Sequence, residues 1–276
     1  MHISVLKKEV LEMLDPKAGE NFIDATLGFG GHALAILDKV SPNGRVLGIE
    51  WDKEVFEKTK PCEGLLAVND TYANIKEIVE KHNFKPVNGI LFDLGISSWD
   101  LEGSGRGFSF MRDEPLDMRF DPNSNMLTAE IIVNTWPERD IAQVIWEFGE
   151  ERFSRVIAKR IAEKRKAAPI KTTFELKVLI PKRAKPFRTF QGLRIAVNDE
   201  LGNLKRGLEQ ATDVLEKDGR LAVISFHSLE DRIVKNFFKN NENFRVLNKK
   251  VIKPSKEEVK ENYRSRSAKL RAAVKK

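Results

Sequence analysis

The segment Asp24-Ala-Thr-Leu-Gly28-Phe-Gly30-Gly31-His32 sets three glycines between an acid and an imidazole. Glycines at this spacing let a chain turn sharply and let a ligand approach the backbone. The pattern is G-x-G-G and not the G-x-G-x-x-G of dinucleotide sites, which disfavours a pyrophosphate cradle. Glu50 stands 19 residues after Gly31. A carboxylate closing the second strand can accept hydrogen bonds from both hydroxyls of a ribose. Alone, each feature is a tight turn or a surface acid; in register they suit a nucleoside cofactor such as S-adenosylmethionine (SAM). Asp70 and Tyr72 follow the third strand, where an aromatic face can cover adenine and an acid can accept from its exocyclic amine. Packing under a helix is an equal alternative for Tyr72. Asp93 ends the run Gly89-Ile-Leu-Phe-Asp93. A carboxylate after apolar residues is costly to bury unless it has partners. It either caps the next helix or stands beside the group being modified.

These residues need a scaffold that brings strand ends to one edge. Strand-like and helix-like segments alternate through the first hundred residues: strands at 21–27, 45–49, 65–68 and 89–94, helices at 4–14, 32–40, 53–60 and 73–82. Such alternation predicts an α/β fold with a parallel sheet covered by helices on both faces. It stops near Glu102. The segment 103–121, rich in glycine and mixed charge, reads as a long loop. Helical spacing follows at 128–133, 137–148, 151–166 and 173–180, and 183–189 reads as a basic loop around Pro186. The α/β pattern resumes with a helix at 199–216, a strand at 220–226, a helix at 229–238 and strands at 244–252 and 268–274. The expected organisation is one α/β domain, 1–103 with 199–276, interrupted by a helical insertion at 104–198.

Composition narrows the function classes. Hydrophobic residues make up 41%, which excludes wholesale disorder. Apolar runs are too short for a membrane helix, and residues 1–15 carry charge where a secretory core would be apolar. The single cysteine, Cys62, excludes internal disulfides and cysteine zinc sites, which fits a reducing cytosol and a cytoplasmic protein. The four histidines, His2, His32, His82 and His227, have no metal-ligand spacing, so no metal site is expected; His227 reads as a helix-start residue, with Ser228, Glu230 and Asp231. Net charge is +7, unevenly spread: −11 over 1–150, +8 over 151–234 and +10 over 235–276. Two consecutive basic segments point to a polyanion such as RNA, although a single run of lysines is usually a solvated surface.

The motifs DATLGFGGH, DLGISS, RGFSFMRDEPLDMRFD, EFGEERFSRVIAKRI, RTFQGLRIAVNDEL and ISFHSLEDRIVK occur in this order, with ENYRSRSAKLR near the C-terminus. In them the chain resembles, nearly end to end, the RsmH or MraW family of bacterial ribosomal RNA cytosine-N4 methyltransferases. The resemblance implies a Rossmann-like SAM-dependent methyltransferase domain interrupted by a helical substrate-recognition domain. It also implies an RNA partner, 16S ribosomal RNA within the small ribosomal subunit, methylated on one cytidine of the decoding region. Cofactor contacts are implied at Gly30, Gly31, His32, Glu50, Tyr72 and Asp93. A further contact usually made by Gln or His falls on Asp100, and a carboxylate accepts but does not donate unless protonated. Tyr263 stands where the family usually has proline.

The exocyclic amine of cytosine is a poor nucleophile, because its lone pair is delocalised into the ring. Asp93, or a carbonyl beside it, is expected to accept from that amine, and Ser97 to help hold the base. Trp99, Phe108 and Phe110 are candidates for stacking a flipped base. Arg152, Arg155, Lys159 and Arg160, with Lys182, Arg183, Lys185 and Arg188, are candidates for phosphate contacts. Asn198, Asp199 and Glu200 read most simply as a helix cap. Other readings stay open: a methyltransferase acting on another RNA, protein or small molecule, and a non-enzymatic RNA-binding module. A dehydrogenase is disfavoured by the glycine pattern. A C5-methylating cysteine enzyme is disfavoured because Pro61-Cys62 falls between the second and third strands.

Overall fold

The computed structural model describes residues 4–276; His2 and the first three residues of the 1–15 segment lie outside them. The strands are β1 (Phe22–Asp24), β2 (Val46–Glu50), β3 (Leu65–Asn69), β4 (Gly89–Asp93), β5 (Arg220–Ser225), β6 (Phe244–Val246) and β7 (Lys269–Lys275). The helices are α1 (Lys7–Leu14), α2 (Gly31–Val40), α3 (Lys53–Lys58), α4 (Ile75–Lys81), α5 (Ser98–Glu102), α6 (Ala129–Thr135) and α7 (Glu138–Glu147). They continue with α8 (Ser154–Arg165), α9 (Thr173–Lys177), α10 (Pro186–Asn198), α11 (Glu200–Val214), α12 (Ser228–Asn240) and α13 (Lys256–Glu261). The chain divides into two compact units, residues 1–95 with 201–276, and residues 96–200. The second unit thus opens at Ile96 rather than at 104, because Ile96 and Leu101 pack against its core.

The first unit carries one seven-stranded sheet in the order β3-β2-β1-β4-β5-β7-β6. The first five strands pair in parallel, and β7 runs antiparallel to both β5 and β6. Alternate residues face opposite sides of a strand, and here both sides are apolar. Phe22, Val46, Leu91 and Ile224 join Ala33 and Ile36 of α2 and Val10 of α1 in one core. Ile23, Leu47, Ile90, Phe92 and Val223 join Ile78 of α4, Leu208 of α11 and Val234 of α12 in the other. Strands covered on both faces need no polar alternation, which is why they read as short apolar runs. Phe22 is 1% exposed, and truncating such a side chain to alanine costs about 3–5 kcal/mol.

The second unit is helical, with Leu116, Met118, Ile132, Ile141, Ile157, Leu176 and Leu193 in one core. The basic segment expected to be a loop at 183–189 gives way at Pro186 to α10, with Pro at the start of the helix, where its missing N–H costs nothing. The α5 and α13 helices are also additions to the sequence reading. The expected strand at 244–252 is only β6 plus a bridge from Ile252 to Leu270.

Candidate active site

In open α/β sheets ligands bind beyond the carboxyl ends of the strands. In the first unit that edge carries Asp24, Glu50, Asn69 and Asp93, each the last residue of its strand. Between β1 and α2 the chain turns through Gly28 (φ 53°) and Gly30 (φ 81°), left-handed conformations that favour glycine. Gly31 then opens α2 and His32 follows in its first turn.

Glu50 braces this turn. Its Oε2 accepts from Gly28 N at 2.8 Å and its Oε1 from Asp52 N at 2.8 Å. Asp70 accepts from Thr71 N and Asn74 Nδ2, which fixes the turn carrying Tyr72. The half-buried Tyr72 ring meets Phe92 edge-on at 5.5 Å between centroids. Both the packing role and exposure of part of the ring are therefore present.

Asp93 and His32 are brought together. Asp93 Oδ2 lies 3.4 Å from His32 Nε2, with both side chains largely buried. Burial works against the charged imidazole, but the Asp93 carboxylate, helped by Asp24, outweighs it and raises the His32 pKa. Asp24 is a site residue that sequence reasoning misses. It is 1% exposed, and burial pushes its carboxyl up to about 6, against the pull of His32. Asp24 Oδ2, His32 Nε2 and Asp93 Oδ1 are buried without a hydrogen-bond partner among the described residues. Buried polar atoms normally have partners, so Asp24 Oδ2 and Asp93 Oδ1 mark a place for a ligand's donors, while His32 Nε2 faces Asp93 Oδ2. The signal available in the sequence is an acid ending an apolar strand just before the glycine turn, the same signal that picks out Asp93.

The remaining candidates lie in the second unit. Ser97 caps α5 and Asp100 closes its capping box: Asp100 Oδ2 accepts from Ser97 N and Ser97 Oγ, each at 2.7 Å, and Asp100 N donates to Ser97 Oγ. Asp100 is 4% exposed and has Arg106 Nη2 at 3.9 Å. The cap uses Asp100 Oδ2 and leaves its Oδ1 out. Phe108 is buried, stacked on Phe120 at 5.4 Å, and Phe110 meets Phe190 edge-on. The loop at 103–121 is thus part of a core, and Phe108 is no free stacking surface. Its backbone is held by Arg106, which donates to Arg119 O and Phe120 O, and by Asn198, which bonds Met118 O and Phe120 N. Asp199 takes the left-handed cap of α10, and Glu200 pairs with Arg194 through two bonds of 2.7 and 2.9 Å.

Arg152, Arg155, Lys159, Arg160, Lys182, Arg183 and Lys185 are exposed, and Arg188 is half-buried. Exposed aromatic rings lie among such cations, with Lys177 Nζ 5.4 Å from the Phe174 centroid and Arg188 6.0 Å from that of Phe187. In the first unit, His227 caps α12 with Glu230, whose Oε2 accepts from Phe226 N and His227 N. Asp231 is held below the usual carboxylate range: burial opposes ionisation, and Arg271 and Lys269 overcome it. Cys62 is exposed and precedes β3, at the amino end of that strand and away from the carboxyl edge.

The strand order, with a glycine turn facing an acidic strand end, defines a Rossmann-like methyltransferase fold. In keeping with it, the structure resembles that of a candidate rRNA methylase from Clostridium thermocellum, with a TM-score of 0.51 at 14% identity over all of both chains. The MraW methylase family matches residues 1–276. The ribosomal RNA small subunit methyltransferase H of Dictyoglomus thermophilum is 46% identical over 284 residues, covering 98% of this chain and 95% of the relative. That of Dehalococcoides mccartyi is 44% identical over 303 residues, covering 99% and 86%. The chain belongs to the MraW methylase family.

Proposed function

We propose that this protein transfers a methyl group from SAM to the exocyclic N4 amine of a cytidine in 16S ribosomal RNA of the small subunit, in the cytoplasm. The observation that carries the reading is the carboxyl edge where Asp24 and Asp93 hold unpartnered buried oxygens, with His32 against Asp93, beside the Gly28–Gly31 turn and Glu50. The family membership and the names of its relatives support the RNA substrate.

The residues present fit the cofactor. Gly30 and Gly31 leave the turn without side chains, Glu50 offers acceptors for ribose hydroxyls, and Tyr72 offers a ring for adenine. Bound SAM supplies a methyl group already activated on a sulfonium, so the protein's task is position and electrostatics. Asp93 accepts from the N4 amine, which favours a more pyramidal and more nucleophilic nitrogen. It then takes the proton that the amine gives up as its new bond to carbon forms. Ser97 and Asp100 shape the chain after β4 through their cap. No helix among the described residues is long and apolar enough to cross a membrane.

The deciding experiment is incubation with labelled SAM and undermethylated small subunits, followed by mass spectrometry of the nucleosides. Label in N4-methylcytidine from 16S RNA is the expected result. Label in 5-methylcytidine, or none in RNA while SAM binds, overturns the proposal.

A further inference from the structure

The first unit carries a basic segment that methyl transfer itself does not use: residues 235–276 hold a net charge of +10. Tyr263 stands in this segment with its ring 66% exposed. The Arg266 guanidinium lies over that ring, 4.9 Å from the centroid, within the range of a cation–π contact. Lys249, Lys250, Lys253 and Arg266 are themselves exposed.

The ring and the guanidinium have a stiff support. Both belong to a 3-10 helix, Tyr263–Ser267. Its middle residue, Ser265, is fully buried, and its N and Oγ both donate to Asn262 O, at 2.9 and 2.8 Å. On the N-terminal side Asn262 N donates to Glu258 O, and Glu258 Oε1 accepts from Leu6 N. On the C-terminal side Ala268 is buried in the core beside α1 and α2, and Lys269 opens β7. Strand register places this helix at the edge that carries Asp93. Asp93 pairs with Ile224, and Ile224 with Leu270. At about 4.8 Å between neighbouring strands, Leu270 lies about 10 Å from Asp93 along that row. Because β7 runs antiparallel to β5, its first residues, and the 3-10 helix leading into them, lie at the carboxyl edge of β4 and β5. The antiparallel bridge from Ile252 to Leu270 brings Lys253 towards the same edge.

We propose that Tyr263 and Arg266 form a stacking platform for an unpaired base of the RNA, next in the strand to the methylated cytidine, and that the exposed lysines around them meet its phosphates. The inference rests on the RNA substrate proposed above. A base drawn out of its stack for reaction leaves its neighbours unstacked. An aromatic face and a guanidinium plane restore that stacking without reading sequence. Lysines alone attract any polyanion; a ring under a guanidinium selects one that carries bases.

Filter binding of undermethylated small subunits to the full chain tests this without turnover. Tyr263→Ala raises the subunit Kd about tenfold, the effect of losing one stacked base. Tyr263→Trp binds like wild type. Tyr263→Leu, apolar but without a π-face, binds like alanine. Arg266→Gln weakens binding and lowers the slope of log K against log salt by about 0.7. In all four variants the Kd for SAM, and kcat at saturating subunits, stay within about twofold of wild type. Native subunit affinity in Tyr263→Ala overturns the proposal, and so does a leucine variant that binds like wild type. If Tyr263→Ala does not fold, the tryptophan and leucine variants decide alone. Phosphatidylserine vesicles that bind wild type and not Tyr263→Ala, with subunit affinity native, overturn it in favour of a lipid surface. Wild-type protein whose subunit binding depends on Tyr263 but which leaves the RNA unmethylated refutes the proposed reaction and not the platform.

Discussion

The backbone N–H of Asp93 donates to Thr26 Oγ1 at 2.7 Å. One hydroxyl thereby ties the end of β4 to the glycine turn after β1, so the proposed amine acceptor and the proposed cofactor turn share a register. Thr26→Ala leaves a half-buried N–H without its partner, at a cost of about 1–3 kcal/mol. It should lower the melting temperature and weaken SAM binding together, and Thr26→Ser should retain both. Calorimetric titration of SAM with thermal melts checks this; native affinity in Thr26→Ala would remove the link.

Glu50→Ala removes the acceptor of both Gly28 N and Asp52 N. The SAM Kd should rise about tenfold or more, the effect of deleting one or two hydrogen bonds to a charged group. Glu50→Gln keeps one strong acceptor and should fall between. Equal affinities for all three proteins would mean that Glu50 only braces the turn.

Stability should fall as pH rises past Asp24. Its carboxyl titrates at about 6 in the folded chain against about 3.9 unfolded, so the folded state binds the extra proton between those values. The sign is a loss of stability on going from about pH 4 to about pH 6, on the order of 3 kcal/mol at most. His32, with its raised pKa, adds a loss in the same direction as pH climbs through its own folded value. Denaturant melts of wild type and Asp24→Asn should therefore diverge over the lower window, the asparagine variant gaining relative stability with rising pH. Parallel curves would contradict the burial of Asp24 as a charged group.

RNA affinity should depend steeply on salt. Arg155→Ala, Lys182→Ala and Arg183→Ala remove exposed cations of the second unit. For each of these cations that meets a phosphate, its removal should lower the slope of log K against log salt by about 0.7–0.9, with SAM affinity unchanged. Fluorescence binding over a salt series measures it, and three unchanged slopes would place the RNA elsewhere.

Arg194 and Glu200 form a bidentate pair within the second unit, at 11% and 9% side-chain exposure. Arg194→Ala strands a buried carboxylate and should cost about 3–5 kcal/mol, whereas Arg194→Met with Glu200→Leu should cost much less. Thermal melts separate the two cases.

The sheet is legible in the sequence because every parallel strand is a short apolar run followed by a helix, and the glycine turn and Glu50 fall where the alternation puts them. Residues such as Ser97 and Asp100 are less so. Three positions apart, a serine and an acid suit both a capping box and a substrate contact, and spacing alone does not show that the cap forms, as its 2.7 Å bond does. Pro186 reads as a loop signal because proline breaks helices from within, yet here it begins one. Phe108 and Phe110 sit in a glycine-rich stretch that hides their packing, since burial in a loop leaves no periodicity to read. Asp24 stands in plain view at the head of the glycine motif, but its burial depends on α2 folding over the sheet, which spacing alone does not express.

Neighbouring β4 and β5 pair Ile90 with Leu221, across the whole of residues 96–200. Closing a flexible loop of that length carries an entropic charge that grows with the logarithm of its length. A segment that gathers around Ile141 and Ile157 on its own behaves instead as a short tether during folding. Mutations that loosen that helical nucleus should therefore slow formation of the central strand pair, even though none of its residues belongs to the sheet.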